Sequence, residues 1–280
     1  MLYVCPTPIG NLEDITLRAL RVLREVDLVL AEDTRHTGQL LHHFQIQQPL
    51  ESLHEHNERE KAARILDLLA QGKKVALVSD AGMPGISDPG AFLIREVIGA
   101  GHALEVLPGA NAALVGFLQS GFDCPHFLFY GFLPRRRKDR LRTLETLERL
   151  SYPIIFYEAP HRLKDMLEDL LHVLGDRPIS ISRELTKRFE ETRRGSIGEL
   201  AAYFAEHKPR GEFVITVGGL KAGQEQANWA ERDEDDILHL LKHLMTSGLS
   251  RRSAVEQVSK EYRLPKNHVY EIALRVSLEG

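Results

Sequence analysis

Short apolar segments alternate with longer segments of helical periodicity along most of the chain. Eight runs of four to six residues, rich in β-branched and other apolar side chains, predict strands. They span Leu2–Cys5, Asp27–Ala31, Lys74–Ser79, Leu104–Leu107, Phe127–Gly131, Ile154–Tyr157, Ile179–Ser182 and Phe213–Gly218. Between them, apolar residues recur at three- and four-residue spacing, as from Leu163 to Leu174, which is typical of helices with one buried stripe. The alternation predicts an α/β fold with mainly parallel sheets.

Two breaks in this pattern divide the chain. A polar turn at Ser120–Asp123 interrupts the strands, so we expect an N-terminal α/β lobe over residues 1–120 and a C-terminal α/β lobe over 121–220. Residues 221–236 are polar and end in an acidic run, which is typical of a linker. Three short helices are predicted after it, at Ile237–Met245, Ser253–Tyr262 and Lys266–Val276. This helical module over 237–280 is either a three-helix cap or an RNA-docking module laid out like a helix-turn-helix.

Composition narrows the class of protein. A hydrophobic content of 43% and a charged content of 27% are typical of a globular protein. The N-terminus has no signal-peptide pattern, no apolar run is long enough to span a bilayer, and only Cys5 and Cys124 are cysteines. We therefore expect a reduced, cytoplasmic protein without a membrane span. Because the net charge is only −4, any nucleic-acid site must be a local basic patch.

Loops with candidate ligand contacts follow five of the predicted strands, and two of these loops are long and dense in glycine and proline. Three of them, at 6–12, 80–90 and 108–112, lie in the first lobe, and two, at 158–162 and 183–187, lie in the second. Ligands of open α/β sheets bind at the carboxyl ends of the strands, so five such loops favour a shared binding crevice over ordinary turns.

The same loops restrict the kind of ligand. Neither the dinucleotide fingerprint nor the P-loop pattern is present, which disfavours a pyrophosphate or triphosphate. Small residues, backbone groups and the carboxylates Asp80 and Asp88 suit an adenosine-containing ligand without phosphates.

Metal and hydrolase chemistry are disfavoured. His36, His42–His43 and His54–His56 do not form the H-E-x-x-H pattern, and no cysteine pair assists them. We expect no metal. No G-x-S-x-G elbow occurs, so a hydrolase is only a residual alternative.

Basic residues gather in two segments. Arg135, Arg136, Arg137 and Lys138 follow a predicted strand, at a helix start where positive charge opposes the helix dipole. Phosphate contact would compensate for that cost, although a solvated helix start is the simpler interpretation. Over Arg183–Arg194, basic and acidic residues mix, which suits phosphate binding combined with proton removal.

Six strings carry a family resemblance. "TPIGNLEDIT" at 7–16, "AEDTR" at 31–35, "SDAGMPGISDPG" at 79–90, "PGANAA" at 108–113, "YEAPHR" at 157–162 and "RELTK" with the following "EE" and "RRG" at 183–195 resemble the tetrapyrrole (class III) methylase family over residues 1–220. Within the family they resemble the branch that methylates a cytidine ribose 2′-hydroxyl in small-subunit (16S) ribosomal RNA. Met83 stands where threonine is usual, and Asn111 where serine, cysteine or alanine is usual.

This resemblance implies a two-lobed α/β fold, S-adenosylmethionine bound in the cleft between the lobes, and a homodimer. The candidate cofactor-binding residues are Thr7, Pro8, Ile9, Gly10, Asp80, Ala81, Gly82, Ile86, Ser87, Pro108, Gly109, Ala110, Asn111 and Ala159. The candidate RNA-binding residues are Arg135, Arg136, Arg137, Lys138, Arg162 and Arg183.

In direct displacement, the ribose oxygen attacks the methyl carbon in line with the departing sulfur, and a general base assists. The candidates for that base are Glu158, Glu184 and Lys187, and we favour Glu184 or Lys187 because both belong to the second-lobe loop facing the cleft. Two alternatives remain open, a methylase of a tetrapyrrole ring and a non-catalytic RNA-binding protein.

Overall fold

The computed structural model describes residues 1–54, 56–220, 234–261 and 266–276. Residues 1–219 form one compact unit, and residues 220–280 belong to a second. Among the helices of these ranges, none has the length and apolar character that crossing a bilayer requires.

The first sheet has five strands, all parallel, in the order β3-β2-β4-β1-β5. The strands are β1 (Leu2–Val4), β2 (Leu28–Ala31), β3 (Leu50–Ser52), β4 (Val75–Val78) and β5 (Leu104–Val106). The helices are α1 (Leu17–Glu25), α2 (Thr34–His43), α3 (Glu58–Ala70) and α4 (Ala91–Gly99). Residues of α1 and α2 share one apolar cluster with the sheet, and residues of α3 and α4 share another. Strands covered by both clusters need side chains that are apolar on both faces, which is why β2 and β4 are uninterrupted apolar runs.

The second sheet has the order β6-β7-β10-β8-β9. The strands are β6 (Leu128–Phe132), β7 (Ile154–Glu158), β8 (Pro178–Arg183), β9 (Glu191–Ser196) and β10 (Phe213–Val217). The helices are α5 (Ala112–Ser120), α6 (Arg137–Leu147), α7 (Leu163–Leu174) and α8 (Ile197–Glu206).

The α/β class is confirmed, but the expectation of a mainly parallel second sheet is wrong. Only β6 and β7 pair in parallel, while β10 is antiparallel to both β7 and β8, and β9 is antiparallel to β8. The apolar pattern does not predict β9, because the residues of β9 are polar and charged, as is common for an edge strand. Its hairpin with β8 reverses the chain, and apolar content alone does not encode strand direction.

Helix α5 packs on the second sheet. Ala113 lies in an apolar cluster with Ile155, Leu185 and Val214. The helix precedes the expected lobe boundary at residue 120, and residues 1–219 pack as one unit, so that boundary stays a prediction.

The second unit contains helices α9 (Glu234–Thr246), α10 (Arg251–Glu261) and α11 (Lys266–Leu274), which pack around Leu241, Val258 and Ile272. Three helices were expected here, and α9 begins three residues before the expected start at Ile237. Of the predicted linker 221–236, residues 221–233 lie outside the described residues, and 234–236 are helical.

Candidate functional site

A cavity of about 490 Å³ lies where the loops after the strands of both sheets meet, and its size falls within the usual range of ligand pockets. Many of the predicted site residues line it. From the cofactor set these are Ile9, Asp80, Ala81, Gly82, Ile86, Ser87, Asn111 and Ala159, and from the catalytic set Glu158, Glu184 and Lys187. The strand-end loops therefore surround one cavity.

The remaining cofactor candidates, Thr7, Pro8, Gly10, Pro108, Gly109 and Ala110, are not among its lining residues. Thr7 instead fixes the loop after β4. Its N–H donates to the Gly82 carbonyl at 2.9 Å, and its own carbonyl accepts from the Gly82 N–H at 3.0 Å. The Thr7 hydroxyl donates to the Ser79 carbonyl at 3.0 Å. These bonds make the loops after β1 and β4 a single wall of the cavity.

Gly10 brings loops of the two sheets into contact. A Cβ atom at this position would overlap Lys187 Cγ and would lie 2.9 Å from Thr186 Oγ1. The loop after β1 therefore lies directly against the loop between β8 and β9, and only glycine permits this approach.

Three carboxylates, of Glu32, Asp80 and Asp88, line the side of the cavity formed by loops of the first sheet. The Asp80 carboxylate accepts the Asp33 N–H at 3.1 Å. Burial, together with the charge of Glu32, raises the pKa of Asp88 to about 7, and burial with the charge of Asp80 raises the pKa of Glu32. A cationic or hydroxyl-rich ligand would relieve this repulsion. Glu32 is not among the predicted site residues, although it directly follows β2 at the carboxyl end of the strand.

Asp88→Asn is expected to stabilise the protein at pH 8. The pKa of Asp88 is raised from 3.8 to about 7 on folding, so the folded state binds the extra proton and stability falls as pH rises between those values. Because solvent screens this partly exposed group, the expected gain in unfolding free energy is about 1–2 kcal/mol at pH 8 and close to zero below pH 4. Urea unfolding across this range measures it, with the exposed Asp123→Asn as control. Identical pH dependence of the wild type and Asp88→Asn would contradict the assignment.

The side of the cavity formed by loops of the second sheet carries an ion pair. Glu184 Oε1 accepts from Lys187 Nζ at 3.1 Å and from the Glu212 N–H at 3.3 Å. Glu184 and Thr186 have φ values of 50° and 65°. Such backbone costs about 1–3 kcal/mol per residue and is found mainly at functional sites. The loop is therefore held in a strained conformation that presents Glu184 and Lys187 to the cavity.

Glu158 is enclosed, in contrast. Its side chain has 0% exposure, and Oε1 accepts the Ala159 N–H at 2.9 Å and faces Arg162 Nε at 3.3 Å. Oε2 has no hydrogen-bond partner among the described residues, and burial raises the pKa of the carboxyl. Although Glu158 borders the cavity, no solvent-sized group reaches it in this conformation, so it positions the loop after β7.

Two of the predicted RNA-binding arginines have partners within the second sheet and its loops. Arg162 donates to the Leu133 carbonyl at 2.8 Å and to the Pro134 carbonyl at 3.3 Å. Arg183 donates to Glu191 at 2.7 Å across the β8–β9 hairpin.

The basic residues at the start of α6 differ in their surroundings. Arg137 Nε donates to the buried carboxylate of Asp169 at 2.9 Å, whereas Arg135, Arg136 and Lys138 are exposed. Within the described residues, no hydrogen bond or ion pair engages the side chains of those three. They remain the candidates for phosphate contact.

Three aromatic residues of the cavity, Phe132, Tyr157 and Phe213, are not among the site residues that the sequence predicts. The Tyr157 hydroxyl accepts the Ala113 N–H at 3.0 Å, and burial raises its pKa to about 12, so the phenol stays protonated. Nothing in the apolar pattern of a strand distinguishes a ring that faces a cavity from one that faces the core.

The two departures from the family pattern both border the cavity. Asn111 Oδ1 accepts the N–H groups of Ala113 and Leu114 at 3.0 and 3.2 Å, so this side chain caps α5. Met83 adds a thioether where a hydroxyl is usual. In the described part of the chain, no group of three or more His, Cys, Asp or Glu side chains is arranged to hold a metal ion.

Comparison with known sequences places the chain in a family. The sequence profile of the tetrapyrrole (corrin/porphyrin) methylases matches residues 1–201. The chain is 43% identical to the ribosomal RNA small subunit methyltransferase I of Bacillus subtilis, over 97% of this chain and 93% of that protein. It is 41% identical to the protein of the same name from Synechocystis, over 100% of this chain and 99% of that protein.

Solved structures show the same fold. A uroporphyrin-III C-methyltransferase from Thermus thermophilus superposes with a TM-score of 0.54 at 23% identity, over 78% of this chain and 93% of that one. The methyltransferase CobJ superposes with a TM-score of 0.60 at 19% identity, over 78% and 93% of the two chains.

The chain therefore belongs to the tetrapyrrole methylase family. It is a methyltransferase, and its methyl donor is S-adenosylmethionine, as the family resemblance implies.

Proposed function

We propose that this protein methylates the ribose 2′-hydroxyl of a cytidine in small-subunit (16S) ribosomal RNA. The observation that carries the proposal is the cavity, which joins a first-lobe wall of carboxylates to the Glu184–Lys187 pair of the second lobe. The names of the relatives, which are similar over nearly the whole chain, support ribosomal RNA as the substrate.

The first-lobe wall fits the cofactor. Asp80 and Asp88 offer carboxylate oxygens suited to ribose hydroxyls or to positive charge, and Gly82, with no Cβ, lets a ligand approach the backbone closely. When bound, S-adenosylmethionine supplies a methyl group on a positively charged sulfur, from which the attacking oxygen displaces it. The loops after β1, β4 and β5 would hold the cofactor, in agreement with the sequence analysis.

Glu184 is the proposed general base. Its side chain is 24% exposed at the cavity, whereas Glu158 is enclosed and Lys187 is paired with Glu184. Glu184 would accept the hydroxyl proton as the oxygen attacks, while Lys187 and the Glu212 N–H hold its carboxylate in place. Positioning the oxygen near the methyl carbon supplies most of the rate, and the base adds about 10²–10⁴-fold.

The exposed cations at the start of α6 would bind RNA phosphates. Replacing Arg135, Arg136 and Lys138 together with alanine is expected to weaken binding of small ribosomal subunits and to flatten its logarithmic salt dependence by roughly two to three units, because each phosphate contact contributes about one. Arg137 is excluded, since its partner is the buried Asp169. Binding is measured by filter retention between 50 and 300 mM salt.

A control removes the same charge elsewhere. Alanine at Arg21, Arg64 and Arg95 takes away three exposed cations from first-lobe helices, and its salt slope should match the wild type. Equal salt slopes for both triple variants would mean that the cations at the start of α6 are solvated and make no phosphate contacts.

We also propose a homodimer. Leu114 and Leu118 lie one turn apart on α5 with exposed side chains, and Phe189 is exposed in the neighbouring β8–β9 loop, which Glu190 ties to Gln119. A two-fold interface would cover such an apolar surface. Light scattering at micromolar concentration should give twice the chain mass, and Leu118→Glu should give monomers. A wild-type monomer with full activity would contradict the proposal.

Nucleoside analysis of 16S ribosomal RNA from cells with and without the gene tests the proposed reaction. Loss of one 2′-O-methylcytidine, restored by the gene, is the expected result. Unchanged ribosomal RNA together with altered tetrapyrroles would instead favour the ring-methylase alternative. The cytoplasm is the expected compartment for a reaction on ribosomal subunits. An RNA-docking role for residues 237–280 stays a prediction.

A further inference from the structure

Phe132 lies at the mouth of the cavity. Its ring borders the cavity, yet half of the residue (50%) is exposed to solvent. The other lining aromatic side chains, Tyr157 and Phe213, are partly and almost fully buried. Single exposed apolar residues are ordinary, so the inference depends on how the backbone orients this ring.

A bulge in β6 turns the ring toward the cavity. Phe129 pairs with Ile155, but Gly131 pairs with Phe156 and Phe132 with Tyr157, so Tyr130 is an extra residue. In a regular strand, residues three apart face opposite sides, and the extra residue places Phe129 and Phe132 on the same side. Gly131 has a φ of 81°, which glycine adopts without cost.

The surroundings hold the ring in place. Tyr157 packs against Phe132 with ring centroids 5.7 Å apart, and Phe129 packs against Tyr157 at 5.0 Å. The Arg162 guanidinium anchors the backbone just after Phe132 through the Leu133 and Pro134 carbonyls. A flat apolar surface fixed in this way suits another planar ring.

The positive charge that follows Phe132 in the chain indicates which class of ligand carries the planar ring that stacks on it. The exposed cations Arg135, Arg136 and Lys138 follow Phe132 within six residues. A stacking ring followed closely in the chain by several exposed cations matches the combination that binds single-stranded nucleic acid, with bases on the ring and phosphates on the cations.

We propose that Phe132 forms a stacking subsite for the base of the target nucleotide. The inference rests on the proposed function and specifies how the RNA enters this same site. A cavity of about 490 Å³ accommodates one ligand of the size of the cofactor, so the base of a nucleotide whose ribose reaches the methyl group stays at the mouth, where Phe132 lies. The nucleotide leaves its RNA stack and regains stacking on this ring.

Kinetics on unmethylated small ribosomal subunits test the proposal. Phe132→Ala should raise KM about 10- to 100-fold, the loss typical of one stacked base, and Phe132→Trp should restore it. Calorimetric affinity for S-adenosylmethionine should remain within about twofold of the wild type. Tyr130→Ala is the matched control, because Tyr130 is a partly exposed aromatic residue on the same strand that packs near Phe156 and does not line the cavity.

The outcomes separate the two proposals. An unchanged KM for Phe132→Ala would overturn the stacking subsite and leave the proposed reaction intact. So would a tryptophan variant as impaired as alanine, an equal loss for Tyr130→Ala, or a loss confined to cofactor affinity. A wild-type protein that methylates no small subunit would overturn both proposals.

Discussion

Gly82→Val is expected to weaken S-adenosylmethionine binding at least about 100-fold, which corresponds to about 2.7 kcal/mol. Gly82 lines the cavity, and its backbone exchanges two hydrogen bonds with Thr7. A Cβ there would lie 3.3 Å from Ile9 Cγ2, so the two further methyl groups of valine must enter the cavity or push the loops apart. Titration calorimetry of the purified variant measures the loss.

Valine at Gly72 is a matched control that separates the effect of filling the cavity from the effect of backbone strain. Gly82 has a φ of 83° and Gly72 has a φ of 81°, but a Cβ at Gly72 would meet no atom within 4 Å. Valine is therefore similarly strained at both positions, and both variants should lose comparable stability in urea. Only Gly82→Val should lose the cofactor. Wild-type affinity in Gly82→Val, or equal losses of affinity in both variants, would refute the placement of the cofactor against this loop.

Glu184→Gln is expected to lower kcat about 10²–10⁴-fold with little change in the affinity for S-adenosylmethionine or ribosomal subunits. Glutamine keeps the size of the side chain and an oxygen that accepts from Lys187 and from the Glu212 N–H, but it takes up no proton. Single-turnover methylation of unmethylated small subunits measures the chemical step.

Two variants make this assignment falsifiable. Glu191→Gln removes the charge of a nearby carboxylate that pairs with Arg183 and does not line the cavity, and it should keep a wild-type rate. Lys187→Met removes the partner of Glu184 and should cost less than Glu184→Gln if the carboxylate is the base. If Glu184→Gln keeps a rate within threefold of the wild type and Lys187→Met is inactive, the general base is Lys187 and not Glu184.

The strand-end loops show how much of this site can be predicted from the sequence alone. Glycine, proline and small polar residues after an apolar run mark a loop at the carboxyl end of a strand, and this rule predicts Gly82, Asp80 and Ala159 as site residues. The same rule, applied to β2, would have found Glu32. Cofactor contact by Thr7 and Gly10 stays a prediction, and the structure adds that both residues fix the loops to one another.

The roles of the arginines depended on the tertiary structure. The basic run at a helix start predicts RNA contact for Arg137, and the strand-end loop after β7 predicts it for Arg162, whereas in the fold Arg137 pairs with Asp169 and Arg162 holds the end of β6. Each partner lies about thirty residues away in the sequence, and no periodic pattern marks such a pair.

By itself, the sequence determined the local features of this protein: the apolar strands, the helices, the α/β class and the loops able to form a cavity. These follow from burial and backbone preference, which act over neighbouring residues. Only the tertiary structure decided the direction of the strands in the second sheet, the polar edge strand β9, and the bulge that turns Phe132 toward the cavity. These depend on which strands become neighbours, because direction and register are properties of a pair of strands and not of either one alone.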